Sequence, residues 1–110
     1  MSYSTSQNNI SLTRGDTAKI TITIETNDGS IYEPAEGDQV IFTVKRHPTD
    51  KQPILVKQIP TDTLLLVLTP EDTKDLDFGS YRFDVQLLFA NGDVDTFIEN
   101  KTLEITYEQD

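Results

Sequence analysis

The residues that could do chemistry are few. Cys is absent and His47 is the sole histidine, so disulfides, thiolate nucleophiles and Cys-based zinc sites fall away together. His47 stands in a Pro-flanked loop beside Lys45 and Arg46, the setting of a solvated side chain rather than of a base or ligand. Arg14-Gly15-Asp16 is a tripeptide that integrin-type receptors can read from an exposed loop, but three residues are a weak pattern. The same string reads as a turn, with Gly15 supplying the bend between two alternating segments. Asp72, Asp75, Asp77, Asp93 and Asp95 invite a calcium reading. Calcium takes about six to eight oxygens around one point, usually from a D-x-D-x-D-G loop, and no segment has that spacing. These carboxylates read as solvated acidic surface. Paired carboxylates for glycoside hydrolysis meet only in three dimensions, and the chain has no Trp for a sugar platform. No Gly-rich phosphate loop, G-x-S-x-G or HExxH is present. The expectation is a protein with no catalytic residue, no metal and no cofactor.

Charge narrows the partners. Nineteen Asp and Glu oppose nine Lys and Arg in 110 residues, a formal charge of −10. Such a chain repels a phosphate backbone and an anionic membrane surface alike. No run approaches the roughly 18 apolar residues of a membrane span, and MSYSTSQNN lacks the basic and apolar stretches of a signal peptide. The length suits a single domain over residues 1–110, with an ordered core from about residue 9 to about residue 108. No internal repeat, low-complexity tract or interdomain linker interrupts it.

The elements that must position these residues are strands. In Thr17 to Glu25, Ala18, Ile20, Ile22 and Ile24 share one face and polar residues the other, the period-two pattern of a half-buried strand. Gln39 to Lys45 repeats it with Val40, Phe42 and Val44. Ser80 to Ala90 does so with Tyr81, Phe83, Val85, Leu87 and Phe89. Shorter strands are expected at Ile10 to Thr13, Ile54 to Ile59, Leu64 to Thr69, Val94 to Ile98 and Leu103 to Tyr107. The run TLLLVLT is apolar on both faces and predicts a strand covered on both sides. Asn27-Asp28-Gly29-Ser30 and Asn91-Gly92-Asp93 are turn signals, the second a hairpin. Pro48 and Pro53 bracket a polar loop, and Pro70-Glu71-Asp72-Thr73 can open one helical turn. The polar ends, Met1 to Asn8 and Glu108 to Asp110, are expected to fray. Seven to eight short strands predict an all-β fold, an antiparallel sandwich or barrel.

One motif favours an immunoglobulin-like sandwich. Asp77-Phe78-Gly79-Ser80-Tyr81-Arg82-Phe83 has the D-x-G-x-Y spacing of a tyrosine corner, in which the Tyr hydroxyl near the start of strand F returns to an upstream backbone group. Tyr81 would be that residue, Gly79 would relieve the turn, and Phe83 would stand where antibody domains carry the second Cys. Ile22 and Phe42 are apolar counterparts of the other Cys and the Trp. The plainer alternative is a turn glycine and an ordinary core aromatic.

The order of these pieces carries a resemblance. Leu12-Thr13-Arg14-Gly15-Asp16, then Glu36-Gly37-Asp38 before the Phe42 strand, then Gly79-Ser80-Tyr81-Arg82-Phe83-Asp84-Val85-Gln86-Leu87 resemble the N-terminal domain of phage baseplate upper proteins. Similar small proteins occur in the tail regions of phages and prophages of Gram-positive bacteria. The resemblance spans about Ile10 to Tyr107. It implies a non-catalytic β-sandwich that attaches receptor-binding components, located in the virion tail or baseplate and in the cytoplasm of the producing cell. It also implies other tail or baseplate proteins, and further copies of itself, as partners. Baseplate upper proteins usually continue into long C-terminal regions, whereas this chain stops at Asp110. An adhesion or carbohydrate-binding immunoglobulin-like module is the alternative, and an enzyme the most distant one.

Alternation also marks a contact surface. With Phe42, Phe83 and Ile98 facing inward, Ile41, Leu88 and Phe97 should face outward on three neighbouring strands. They would form one exposed apolar patch, unless a bulge turns Phe97 inward.

Overall fold

A computed structural model describes residues 3–6, 9–25, 29–47 and 49–107. Its strands are β1 (Tyr3–Ser6), β2 (Asn9–Thr13), β3 (Ala18–Thr21), β4 (Gln39–Lys45), β5 (Leu55–Ile59), β6 (Leu65–Leu68), β7 (Gly79–Leu88) and β8 (Val94–Thr106), with one helical turn, α1 (Pro70–Thr73), between β6 and β7. The fold is all-β. Six strands form one sheet in the order β1-β2-β8-β7-β4-β5, and β3 pairs with β6 in a second. Among the described residues no helix is long and apolar enough to cross a membrane.

The neighbours β8-β7-β4 and β3-β6 are those that strands G, F, C and B, E have in an immunoglobulin-like order. One pairing departs from the expected all-antiparallel arrangement. The β2 strand runs parallel to β8, Ile10 opposite Leu103 and Thr13 opposite Thr106, so the larger sheet is mixed. Of the N-terminal segment expected to fray, Tyr3–Ser6 form β1, paired antiparallel with β2 from Tyr3–Leu12 to Ser6–Asn9, while Met1, Ser2, Gln7 and Asn8 lie outside the described residues. Asn27, Asp28, Pro48 and residues 108–110, which enter the turn, loop and terminus expectations, lie outside the described residues.

Burial follows the alternation where strands are long. Val40, Phe42 and Val44 from β4 and Tyr81, Phe83, Val85 and Leu87 from β7 meet Ala18, Leu66 and Leu68 from the small sheet in one buried cluster. Phe42 and Phe83 touch at its centre, with ring centroids 5.3 Å apart. Ile22 and Ile24 stay buried beyond the end of β3, so the burial phase outlasts the ladder. On β6 the expectation of cover on both sides fails. Leu66 and Leu68 are buried, but Leu65 and Val67 are only half-buried, because β3 and β6 have no layer behind them among the described elements.

The expected strands Val94 to Ile98 and Leu103 to Tyr107 are one strand of 13 residues. Two register shifts against β7 accommodate its length, one between Phe83 and Val85 and one between Val85 and Gln86. Near the first, Asn100 has a φ of 53° and its N–H donates to Asp84 Oδ1 at 2.7 Å. Extra residues of this kind re-aim side chains. At the hairpin joining β7 to β8, Gly92 N–H donates to the Phe89 carbonyl at 2.9 Å, with Gly92 at a φ of 97° that side-chain-bearing residues disfavour.

Candidate interaction surface

The corner residues come together by local geometry. A three-residue step after α1 brings the chain to Asp77, and Gly79, at a φ of 135°, turns it into β7. Tyr81 is then buried at the sheet end, and its hydroxyl donates to the Asp77 carbonyl at 2.7 Å. The Arg46 guanidinium lies 5.4 Å from the Tyr81 ring centroid and 3.9 Å from the Asp77 carboxylate. This arrangement ties down the connection between the two sheets.

The expected apolar patch needs correction. Thr96 pairs with Gln86 and Ile98 with Val85, so Phe97 is the residue left over at the register shift. It packs against the buried cluster. Ile41 and Leu88 keep their outward phase but are half-buried, and neither joins Phe97 in an exposed island. The large side chains that do reach solvent are others, among them Val56 on β5, Val94 on β8, Phe78 and Tyr107. Val94 was within reach of the sequence, since it follows the hairpin and pairs with Leu88.

The Arg14-Gly15-Asp16 string is built into a turn. Arg14 N–H donates to the Thr106 carbonyl and Asp16 N–H to the Thr13 carbonyl, each at 3.1 Å. Gly15, at a φ of 87°, donates its N–H to the buried Thr73 hydroxyl at 3.1 Å. The Arg14 guanidinium lies 4.1 Å from the Phe78 ring centroid and donates to the Leu76 carbonyl at 3.4 Å. Phe78 in turn contacts Tyr107 at 4.1 Å between centroids. The result is a contiguous cluster of Arg14, Phe78 and Tyr107, the last the most exposed, instead of a projecting charged loop. Beside it a shallow cavity of about 310 Å³ is lined by Phe78, Gly79, Glu104, Ile105, Thr106 and Tyr107.

Two carboxylates act as ties: Asp38, to which the sequence assigned no such role, and Asp72, which was expected on the solvated acidic surface and is instead half-buried against Lys57. Asp38 accepts from the Tyr32 hydroxyl at 2.6 Å, from Ala35 N–H at 2.9 Å and from Ala90 N–H at 3.2 Å. The Tyr32 hydrogen bond, with help from the two amides, holds the Asp38 carboxyl below its usual range despite some desolvation. The same bond raises the Tyr32 phenol. Asp38 thereby fixes the segment before β4 to the β7–β8 hairpin, where Tyr32 also meets Phe89 edge to face at 5.9 Å. Asp72 accepts from Lys57 Nζ at 2.6 Å and from Thr69 N–H at 2.8 Å. Burial pushes its carboxyl up, but the hydrogen bonds from Lys57 and Thr69 and the Lys57 charge outweigh burial and bring it down. Lys57 occupies an inward position opposite Phe42, and its ammonium also donates to the Val67 carbonyl at 2.7 Å. It ties the edge of the large sheet to the small one. The detectable signal was a Lys in phase with Leu55 and Ile59.

Among the described residues no group of three or more His, Cys, Asp or Glu is placed to hold a metal ion. Comparison with protein-family models, with curated proteins and with solved structures returned no match.

Proposed function

We propose that this chain is a non-catalytic, immunoglobulin-like structural module of a phage or prophage tail or baseplate, mediating attachment between virion proteins. The reading rests on the order and spacing of the Leu12–Asp16, Glu36–Asp38 and Gly79–Leu87 segments. The observation that supports it is how the polar side chains of those segments are used. Arg14, Asp38 and Tyr81 each tie separate pieces of the β-framework together, a use that suits a rigid attachment module. Meanwhile Val56, Val94, Phe78 and Tyr107 present apolar area to solvent, as a contact module requires.

The test is biochemical. A lysogen carrying this coding sequence is induced, virions are purified, and their proteins are identified after mild cross-linking. Recovery of the chain cross-linked to tail proteins is the expected result. Tail-complete virions that lack the chain would overturn the reading.

The exposed Tyr107 ring beside Glu104 and the shallow cavity is the one observation that favours a carbohydrate-binding module instead. A glycan array that gives binding lost in Tyr107→Ala would move the assignment there.

A further inference from the structure

We propose that Tyr107 and Glu104 form a seat for an arginine side chain of a partner protein. The inference goes beyond the virion reading and does not depend on it.

Strand phase and a strand end build the site. Glu104 is exposed on the outer face of β8, opposite Ser80 on β7 and Ser11 on β2, so short side chains flank it. Just past the end of β8, Tyr107 is 68% exposed, and its ring meets that of Phe78, 37% exposed, at 4.1 Å between centroids. Both rings and Glu104 line the shallow cavity of about 310 Å³. A side chain built at Gly79, also in its lining, would meet nothing within 4 Å. The approach over that stretch of backbone is open.

Charge selects the occupant. Among the lining residues Glu104 alone is charged. Among the described residues it enters no ion pair, and its hydrogen bond from Ser11 Oγ is long, at 3.5 Å. The neighbouring cations are engaged otherwise. Arg82 donates to Thr102 Oγ1 at 2.8 Å, and Arg14 lies over Phe78 and donates to the Leu76 carbonyl. A chain of charge −10 draws further cations to its surface, and an aromatic face beside a carboxylate is where a cation gains most.

Among cations, a guanidinium fits better than an ammonium. Its plane stacks on a ring while its N–H fork meets a carboxylate. The chain assembles the same three groups inside its own fold, where Arg46 lies 5.4 Å from the Tyr81 ring centroid and 3.9 Å from the Asp77 carboxylate. Tyr107 and Glu104 offer that ring and carboxylate to solvent. Sites for free small molecules enclose most of the ligand, which a shallow cavity does not. It suits the tip of a side chain carried on another protein's surface, and Arg and Tyr are the side chains on which such interfaces commonly anchor.

Titration of the isotope-labelled full chain, followed through its backbone amide resonances, provides the test. The probes are acetyl-Gly-Arg-Gly-amide and its counterparts with lysine or citrulline at the centre. The arginine peptide should move the amides of Gly79, Glu104, Thr106 and Tyr107 saturably, with the roughly millimolar Kd of one exposed contact. Lysine keeps the charge without the plane, and citrulline keeps the shape without the charge; both should bind more weakly. Glu104→Gln and Tyr107→Ala, at exposed positions, should each weaken the arginine peptide by roughly two- to fivefold. An arginine peptide that leaves these amides unmoved overturns the proposal. So does a lysine or citrulline peptide that binds as well, or arginine binding that Glu104→Gln does not weaken. Maltotriose binding at the same amides more tightly than the arginine peptide would overturn it in favour of the carbohydrate reading. The three peptides on the unaltered chain decide the outcome even where a variant disturbs folding.

Discussion

At the scale of single residues, Tyr81 and Asp38 show where sequence reading reaches and where it stops. The Tyr81 hydroxyl finds its acceptor four residues upstream, so the D-x-G-x-Y spacing alone suffices to place it. Asp38 gathers Tyr32, Ala35 and Ala90, and the last is brought in only by the β4–β7 pairing; no local pattern carries that. The Tyr81 bond supports a direct prediction. Tyr81→Phe removes the donor and strands the Asp77 carbonyl, and should cost about 0.5–1.5 kcal/mol. Gly79→Val should also destabilise, by forcing a β-branched residue to a φ of 135°. Equilibrium urea unfolding checks both, and an unchanged midpoint for Tyr81→Phe would reduce Tyr81 to plain packing.

At the scale of elements, period-two alternation located the long β4 and β7 and also the shorter β2, β5 and β6 close to where they lie. Val40–Val44 and Tyr81–Leu87 fell inward as their phase requires. The β8 strand defeated the same rule, because two register shifts change the phase inside one strand and leave Phe97 half-buried against the core. A period-two count has no means of registering an inserted residue. The β1 strand was missed because Tyr3–Ser6 is polar and gains its ladder from β2, not from an apolar face. Lys57 joins elements rather than belonging to one, and it yields the next prediction. Lys57→Met leaves the Val67 carbonyl and the half-buried Asp72 carboxylate without their ammonium partner, and should cost about 1–3 kcal/mol. The pH dependence follows from Asp72. Its folded carboxyl lies below the ordinary value, so its contribution is present above the unfolded value of about 4 and is lost as pH falls through the lower folded value. In Lys57→Met two of the lowering causes vanish while the upward push of burial remains. The variant should therefore start less stable at neutral pH but lose less stability on acidification, so that the two proteins converge as pH falls below about 4. Urea midpoints measured across the acid range would show it, and a gap between the two proteins that stays constant with pH would mean that Lys57 does not hold Asp72 down.

At the scale of the whole molecule, the all-β class was legible because period-two alternation recurs along the chain. The division into six and two strands was not, since it depends on β2 pairing parallel with β8 across more than 90 residues. Net charge, by contrast, is a whole-molecule property that the sequence states directly, and it governs the last prediction. Ten uncompensated negative charges occupy a body of 45 × 30 × 24 Å, so folding brings carboxylates closer than the unfolded chain holds them. The Debye length is about 10 Å at 0.1 M salt and about 3 Å at 1 M. Added NaCl should therefore raise the melting temperature, even though it weakens exposed pairs such as Lys74–Glu71. Screening depends on ionic strength, so KCl should act alike, and magnesium and calcium should match each other at equal concentration. A specific calcium site would behave differently: a ligand at about a hundred times its dissociation constant adds about 2.7 kcal/mol and then saturates. Thermal unfolding measured across salt and divalent-ion concentrations separates the cases. A saturable rise with calcium that magnesium fails to reproduce would show that some of these carboxylates converge on an ion. A melting temperature that falls with NaCl would show that attractive pairs, such as Lys57 with Asp72 and Arg46 with Asp77, outweigh the repulsion of the whole.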